Sequence, residues 1–422
     1  MLTQAPKGTL DMLPKDSHRW QKIESEMRRV CALAGYREIR TPMFEHTELF
    51  QRGVGDTTDV VQKEMYTFMD KGGRSVTLKP EGTAGVVRAM IEAHLYAEPL
   101  PQKMFYVSCP AFRYEKPQKG RFRQFHQLGV EVFGAKDASV DAEVIRLAMD
   151  VLEANGVRGL GLHINSIGCP ECRKAYNSAL KAFLQPKLND LCETCRSRFD
   201  RNPMRILDCK EAKCKVLTQD APRMLDMLCG DCRAHFESLQ KYLSCLCMDY
   251  EIDKGIVRGL DYYTKTVFEI IAKLPDGSEL TVCGGGRYDG LVEELGGPEM
   301  AGIGFGMGVE RLLMVQELLG ASPEAPSVVD AFVVTLGEDA RLEGEKLVRE
   351  LRLSGVKADL DHCARGMKAQ FKYADKLGAK YVIVLAEDEL ASGKVKIRNM
   401  LSHEEKETPI REAAAAISQG EE

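Results

Sequence analysis

The chain has 422 residues, 44% of them hydrophobic, which is enough for more than one domain with a buried core in each. Its formal net charge of −5 excludes uniform wrapping of nucleic acid, so any RNA contact must come from local basic patches. No stretch approaches the ~20 apolar residues that cross a bilayer, and no apolar run follows Met1. We therefore expect a cytoplasmic protein with no membrane partner.

The predicted elements of the first three hundred or so residues are mostly hairpin strands with flanking helices. Trp20, Ile23 and Met27 follow helical spacing within residues 17–34, and Gly35 ends that helix. A strand ending in a turn is predicted at residues 76–83 and a helix at 84–97. Further strands are predicted at residues 103–108, 122–133, 160–165, 267–271 and 279–282. Because hairpins rather than βαβ repeats connect most of them, the pattern favours an α+β fold, with an antiparallel sheet flanked by helices.

Residues 112–134 read FRYEKPQKGRFRQFHQLGVEVFG and predict a hairpin with a basic tip. Gln127 and Glu131 lie four apart, so both side chains point to the same face of the second strand. A planar arginine at a strand end suits bidentate phosphate recognition, and an amide beside a carboxylate suits a small ligand with hydrogen-bond donors. The alternative is a solvated basic turn.

The 14 cysteines do not predict a secreted disulfide scaffold, because the chain is long and has no apolar leader. Eight of them cluster in a charged segment with helical periods, about residues 166–250, which we interpret as an inserted subdomain. Their order is Cys169-x2-Cys172-x19-Cys192-x2-Cys195, then Cys209-x4-Cys214-x14-Cys229-x2-Cys232. The spacing predicts one tetrathiolate Zn²⁺ site from the first four and allows a second from the last four. The alternative is a set of reduced thiols without metal.

The remaining elements predict a second, smaller domain. Residues 283–289, CGGGRYD, are interpreted as a tight turn or a close backbone approach to a ligand, and residues 323–327 as a linker. Beyond it, strands at 328–335, 356–360 and 381–385 alternate with helices at 340–354 and 366–377, as in a small α/β domain. Lys368, Lys372, Lys376 and Lys380 are spaced by four and predict a cationic stripe on one helix face, which is more often solvated than functional.

Four short segments in chain order carry the most specific signal. They are residues 35–42 (GYREIRTP), the hairpin at 112–134, residues 258–264 (RGLDYYT) with 267–269 (VFE), and residues 301–312 (AGIGFGMGVERL). The first, second and fourth resemble motifs 1, 2 and 3 of class II aminoacyl-tRNA synthetases, and the third resembles the signature of the histidyl-tRNA synthetase family. The similarity begins at residues 7–11 and covers nearly the whole chain. Such a combination is far more specific than any single motif.

The resemblance implies a class II catalytic domain over residues 1–322 and an anticodon-binding α/β domain over residues 328–422. It implies that ATP, with Mg²⁺, activates L-histidine to histidyl-adenylate and pyrophosphate, and that histidine then passes to the 3′ terminal adenosine of tRNA(His). Motif 1 implies a homodimer. Positioning and electrostatics supply most of the acceleration in such transfers, so no protein nucleophile is expected.

Residue roles follow from the same resemblance. Arg258 is expected to be the principal catalytic residue, reaching the α-phosphate opposite Arg113, while Arg311 holds the far phosphate of ATP. Glu115 and Arg121 would flank the nucleotide. Residues matching the histidine site are Glu81, Thr83, Gln127, Glu131, Tyr262 and Tyr263, and those matching the tRNA contact are Gln118, Lys119 and Arg123.

Two other functions fit parts of the sequence. One is the histidyl-synthetase-like regulatory subunit of histidine biosynthesis, a binding protein that shares the catalytic fold but lacks the anticodon domain. The other is a zinc-dependent nucleic-acid-binding module, suggested by the paired cysteines and the basic tip. The presence of Arg113, Arg258 and Arg311 together argues against both.

Overall fold

The computed structural model describes residues 3–55, 58–118, 120–207, 209, 211–256 and 260–418. The chain divides into two compact units, Met1–Pro323 and Glu324–Glu422. Within the described ranges, no helix is both long and apolar enough to cross a membrane.

The first unit combines a large sheet, a small sheet and helices. Its described helices are α1 (Pro14–Leu33), α2 (Thr47–Val54), α3 (Thr83–Glu92), α4 (Ala138–Ala154), α5 (Pro170–Leu184), α6 (Glu193–Arg201), α7 (Ala212–Thr218), α8 (Gly230–Cys245), α9 (Leu291–Glu294) and α10 (Val309–Leu318). Its described strands are β1 (Arg37–Glu38), β2 (Phe44–His46), β3 (Tyr66–Met69), β4 (Ser75–Leu78), β5 (Gln102–Phe112), β6 (Gln124–Phe133), β7 (Leu160–Ser166), β8 (Glu251–Ile252), β9 (Thr264–Lys273), β10 (Glu279–Arg287) and β11 (Gly302–Gly308).

Among the described residues the large sheet has the order β1-β5-β6-β11-β10-β9-β7-β8, and the small sheet the order β2-β4-β3. The pairs from β5 through β6, β11, β10 and β9 to β7 are antiparallel, while the short edge strands β1 and β8 are parallel to their neighbours. One large core cluster joins the sheet to α1, α4 and α8 through residues such as Ile23, Val144, Leu239 and Phe268. The antiparallel sheet predicted from the sequence is therefore present.

The glycine-rich run at 283–289 is not a turn. Residues up to Arg287 continue β10, which pairs with β9 on one side and β11 on the other. A Cβ on Gly285 would lie 2.3 Å from the carbonyl oxygen of Gly304, so the close approach is to the neighbouring strand. The interpretation as a tight turn was wrong, because the pairing strand β11 follows later in the chain.

The segment between β7 and β8 is helical in its described part and contains α5 to α8. Its apolar side chains, among them Tyr176, Leu180 and Phe199, form a cluster with the cysteines. The helical periods expected for residues 166–250 agree with these elements.

The second unit is a separate α/β structure. Its described elements are β12 (Ala331–Thr335), α11 (Glu338–Leu353), β13 (Ala358–Leu360), α12 (Met367–Lys376), β14 (Tyr381–Leu385), α13 (Glu387–Ser392), β15 (Lys394–Asn399), β16 (Glu405–Pro409) and α14 (Ala413–Ser418), with sheet order β13-β12-β14-β15-β16. The lysine stripe on α12 is shorter than predicted. Because α12 ends at Lys376, Lys380 lies beyond the helix, where its ammonium group is 3.5 Å from a carboxylate oxygen of Asp330.

Candidate active site

A cavity of about 930 Å³ lies in the first unit, over strands of the large sheet. It collects side chains from segments that are far apart in the sequence. The predicted site residues that line it are Glu81, Thr83, Arg113, Glu115, Arg121, Gln127, Tyr262, Tyr263 and Arg311. Glu131 is buried next to this lining, whereas Gln118 and Arg123 do not line the cavity. Lys119 and Arg258 lie outside the described residues.

Glu131 is the most enclosed of these side chains, with 1% of its surface exposed. Its Oε1 accepts hydrogen bonds from Thr83 Oγ1 at 2.8 Å and from the Tyr106 hydroxyl at 3.4 Å, and its Oε2 accepts one from the Tyr288 hydroxyl. Burial raises the pKa of Glu131 to about 8, although the hydroxyl donors act in the opposite direction. The carboxyl group is therefore held in a closed polar pocket.

Small residues make this pocket possible. A Cβ on Gly304, which faces Glu131 across the strand pair, would lie 2.3 Å from Glu131 Oε2. A Cβ on Gly129 would lie 2.2 Å from the Tyr106 ring and hydroxyl. Both distances are far inside van der Waals contact, so these two strand positions require glycine.

Glu81 has a different environment. It precedes α3, and its two oxygens accept hydrogen bonds from the backbone amides of Thr83, at 2.7 Å, and Ala84, at 2.8 Å. Burial raises its pKa, although these backbone hydrogen bonds and the charge of Arg113 lower it. The carboxyl group therefore caps the first turn of α3 as well as lining the cavity.

Gln127 carries a buried acceptor without a donor. Its side-chain Oε1 is buried and has no hydrogen-bond partner among the described residues. An unmatched buried carbonyl costs about 1–3 kcal/mol, and this one belongs to a side chain that lines the cavity. A ligand with an N–H group would satisfy it.

Aromatic side chains also line the cavity. The ring centroids of Tyr262 and Tyr263 are 4.7 Å apart, and those of Tyr262 and Tyr288 are 5.7 Å apart. Burial raises the pKa of Tyr262 well above its ordinary value, so its hydroxyl stays protonated. Tyr106 and Tyr288 were not predicted from the sequence, since aromatic residues in strands usually indicate core. The neighbouring glycines 129 and 302 were the available signal.

Guanidinium groups of Arg113, Arg121 and Arg311 also line the cavity. Arg113 Nε donates to the Pro80 carbonyl at 2.9 Å, and Arg311 Nη1 donates to the Thr281 carbonyl at 2.7 Å. Burial lowers the pKa of Arg311, and the nearby charge of Arg121 acts in the same direction. Because these cations lie close enough to repel one another, an anion between them would be bound favourably.

Carboxylates lie beside these arginines. Glu115 Oε2 is 3.5 Å from Arg121 Nη1. Glu64, which the sequence did not predict, and Glu269 line the same cavity. Burial raises the pKa of Glu64, and the charge of Glu115 raises it further. Oxygen ligands of this kind suit a hard divalent cation.

The loop between β5 and β6 has a defined conformation. Gln118 and Arg121 pair through their backbones, with N···O distances of 3.0 and 2.9 Å, and the Gln118 side chain is exposed. Arg123 is half-buried: its guanidinium carbon lies 4.0 Å from the Tyr114 ring centroid, and its Nε donates to the Glu115 carbonyl at 3.2 Å. Arg123 therefore supports the segment that carries Glu115.

The eight clustered cysteines form two groups in the described part of the chain, but not the two groups predicted. The first group, Cys169, Cys172, Cys229 and Cys232, and the second, Cys192, Cys195, Cys209 and Cys214, each have all sulfur atoms within 4.8 Å of one another. The prediction that Cys169 and Cys172 join Cys192 and Cys195 was wrong. The first turns of α5 and α8, 60 residues apart, lie together, whereas α6 meets the segment that immediately follows it.

The first unit has a mainly antiparallel sheet with an arginine-lined cavity over it, and a separate α/β unit follows in the chain. These features together define a class II aminoacyl-tRNA synthetase. A family model described as histidyl-tRNA synthetase matches residues 8–312, and one described as anticodon binding domain matches residues 330–420. The chain belongs to the histidyl-tRNA synthetase family.

Individual relatives agree with this assignment. A histidine–tRNA ligase of Caldanaerobacter subterraneus subsp. tengcongensis is 56% identical over 417 residues, which cover 99% of this chain and 100% of that protein. The crystal structure of apo S. aureus histidyl-tRNA synthetase has a TM-score of 0.85 at 41% identity and covers 98% of this chain and 99% of that one. The family, fold and enzyme class predicted from the sequence are thus confirmed.

The regulatory-subunit alternative has weaker support. The crystal structure of an ATP phosphoribosyltransferase regulatory subunit/histidyl-tRNA synthetase from Bacillus halodurans has a TM-score of 0.62 at 22% identity, covering 92% of this chain and 99% of that one. At that identity the likeness shows the fold alone.

Proposed function

We propose that this protein activates L-histidine with ATP to histidyl-adenylate and pyrophosphate, and then transfers histidine to the 3′ terminal adenosine of tRNA(His). The observation that carries the proposal is one cavity lined by two chemically different sets of groups. Glu81, Gln127 and the neighbouring Glu131 supply acceptors. Arg113 and Arg311 supply cations.

The acceptor groups suit the donors of histidine. The free Oε1 of Gln127 would accept from the ammonium group, with Glu81 and Thr83 close to it. Glu131, held by hydroxyl donors, would accept from a ring N–H beside Tyr262 and Tyr263. A site built to hydrogen-bond its substrate rejects isosteres without those groups by ~10⁴ or more, because its own buried groups are then left unmatched.

The guanidinium groups suit a triphosphate. Attack of the histidine carboxylate on the α-phosphorus brings two anions together, and Arg113 would neutralise charge at that point while Arg311 holds the far phosphate. Glu115 and Arg121 would flank the nucleotide. Arg258, assigned from the sequence motif alone, would stabilise the α-phosphate from the other side, as the principal catalytic residue. Such fixed charges act strongly in a site from which water is largely excluded.

A magnesium ion fits the same cavity. Glu64, Glu115 and Glu269 present carboxylate oxygens to the cavity, which is the ligand type that Mg²⁺ prefers. When bound, the ion would neutralise phosphate charge and help hold ATP in place.

The remaining surfaces suggest the larger partners. The exposed Gln118, with Lys119 and Arg123 from the sequence, would meet the tRNA acceptor end, and residues 328–422 would bind the anticodon, after a catalytic part at residues 1–322. A homodimer is supported by exposed apolar side chains on or next to the small sheet that follows motif 1. These are Met43, Phe44, Phe68 and Met69, and exposed apolar surface of this kind marks interfaces.

Pyrophosphate exchange with each amino acid in turn tests the proposal. Histidine alone should support exchange, and a regulatory subunit would support none. Arg258→Ala should lower the exchange rate at least a hundredfold, since one charge-stabilising group is worth roughly 3 kcal/mol or more. Arg158→Ala, at an exposed site outside the cavity, is the matched control. Exchange with another amino acid would refute the assignment.

A further inference from the structure

The two cysteine groups have the dimensions of occupied metal sites. Cys169 and Cys172 have sulfur atoms 3.6 Å apart, and Cys192 and Cys209 have sulfur atoms 3.8 Å apart. Four thiolates around Zn²⁺ at about 2.3 Å in a tetrahedron lie about 3.8 Å from one another. Sulfur atoms at these distances are not disulfide-bonded, and a group spanning 4.8 Å leaves room for a single ion.

Helix N-termini and backbone amides lie next to several of the sulfur atoms. Cys169, Cys192 and Cys229 stand at the N-caps of α5, α6 and α8, so the positive end of each helix dipole faces a metal-bound thiolate. Backbone amides also point at sulfur: Cys229 N lies 3.1 Å from Cys172 Sγ, and Cys192 N lies 3.3 Å from Cys214 Sγ. Amide donors of this kind commonly orient metal-bound ligands.

We propose that each group holds one zinc-like divalent ion, and that the ion in the second group fastens a wall of the substrate cavity. Cys192 and Cys209 of that group line the cavity together with Arg198 of α6. Arg198 Nη2 donates to Asp59 Oδ2 at 2.8 Å, and Asn202, at the end of α6, donates to Asp261 Oδ1 at 2.8 Å.

Through these contacts α6 connects the second group to two segments that line the cavity. Asp59 immediately precedes the helical turn Val60–Glu64, and Asp261 immediately precedes Tyr262. With the ion bound, the first turn of α6 is fixed to the segment that contains Cys209 and Cys214. Without it, that turn loses its cross-link, and Arg198 and Asn202 lose the helix that positions them.

Metal content, which does not depend on the proposed reaction, tests the two sites. Protein purified without chelator should contain two equivalents of zinc per chain by elemental analysis. Cys169→Ser/Cys232→Ser should lose one equivalent, because both thiols belong to the first group, whereas Cys169→Ser/Cys195→Ser should lose both. If instead the first four cysteines in the sequence held one ion and the last four the other, Cys169→Ser/Cys232→Ser would lose both equivalents and Cys169→Ser/Cys195→Ser would lose one.

Cys245→Ser/Cys247→Ser, at exposed cysteines outside both groups, is the control and should keep two equivalents. Fewer than two equivalents in the wild-type protein, with thiols that titrate freely, overturns the proposal even if every variant fails to fold.

The role of the second ion in holding the cavity wall in place rests on the proposed function and needs a separate measurement. Cys192→Ser/Cys214→Ser should raise the KM for ATP or histidine severalfold more than Cys169→Ser/Cys232→Ser does, with each variant shown by circular dichroism to be folded. Equal KM values in the two variants would overturn the cavity role, while the metal content would still decide whether the sites exist.

Discussion

Thr83 Oγ1 donates a 2.8 Å hydrogen bond to Glu131 Oε1 and so joins the start of α3 to the middle of β6. The opposite oxygen of the same carboxyl group accepts from Tyr288, just beyond β10. One buried acid therefore holds together three parts of the unit that are distant in the sequence. Because burial raises the pKa of Glu131 in the folded state, its protonation is linked to the stability of the fold.

The stability of the protein should depend on the ionisation of Glu131. Its folded pKa is raised from 4.5 to about 8, so between those values the folded state binds more protons than the unfolded state. The free energy of unfolding should then fall as pH rises through this window, by up to ~1.4 kcal/mol per pH unit from this group. Glu131→Gln should remove that contribution. Urea unfolding of both proteins from pH 5 to 9 checks it, and identical pH slopes would contradict it.

We expect the Gln127 side chain to lower the free energy of unfolding while it contributes to histidine binding. Gln127→Met removes an unmatched buried carbonyl and should raise the free energy of unfolding by ~1 kcal/mol, while the KM for histidine rises. Gln102→Met is the matched control: Gln102 is also buried, but its Oε1 accepts from Arg37 at 2.9 Å and its Nε2 donates to the Pro99 carbonyl at 2.7 Å. That control should lose ~1–3 kcal/mol. A destabilised Gln127→Met protein would argue that the Gln127 amide is already satisfied.

The hairpin and its ligand-facing residues could be predicted because they depend on local rules. Strand alternation places Gln127 and Glu131 on one face wherever the strand lies in the sheet. Tyr106 and Tyr288 could not be identified in the same way, since their role depends on pairing between strands that are far apart in the sequence. The buried position of Arg287 could not be predicted for the same reason, because it lies in the run at 283–289 that was interpreted as a turn.

The cysteine grouping shows the same limit. Spacing indicates that a pair two residues apart can hold one side of an ion, but not which other pair completes it. That choice depends on how helices pack, and here α5 packs beside α8. The prediction that Lys380 lies on the same helix face was wrong for a local reason. The helix ends at Lys376, and Gly378 takes a positive φ of 72° just beyond it.

The Asp141–Arg287 pair should be a major source of stability. Both side chains are fully buried, with Arg287 Nη2 2.6 Å from Asp141 Oδ1, and Asp141 also accepts from Thr266 at 2.6 Å. His235 Nε2 also lies 2.8 Å from Asp141 Oδ2. Arg287→Leu should cost ~3–5 kcal/mol, because it leaves a buried carboxylate without its guanidinium partner. Adding Asp141→Leu should recover part of that loss. Urea unfolding of the single and double variants checks the coupling, and strictly additive losses would show that the pair is not coupled.

The hairpin loop offers a last test, which separates support of the active site from contact with RNA. Arg123 lies against the Tyr114 ring and donates to the Glu115 carbonyl, so Arg123→Ala should lower both pyrophosphate exchange and aminoacylation, roughly tenfold for each lost charge-assisted contact. Gln118 is exposed at the tip, and Gln118→Ala should lower aminoacylation of tRNA(His) while exchange is unchanged. The two rates are measured on the same preparations. If Arg123→Ala leaves exchange at the wild-type rate, its contact with Glu115 has no part in activation, and the residue serves the tRNA alone.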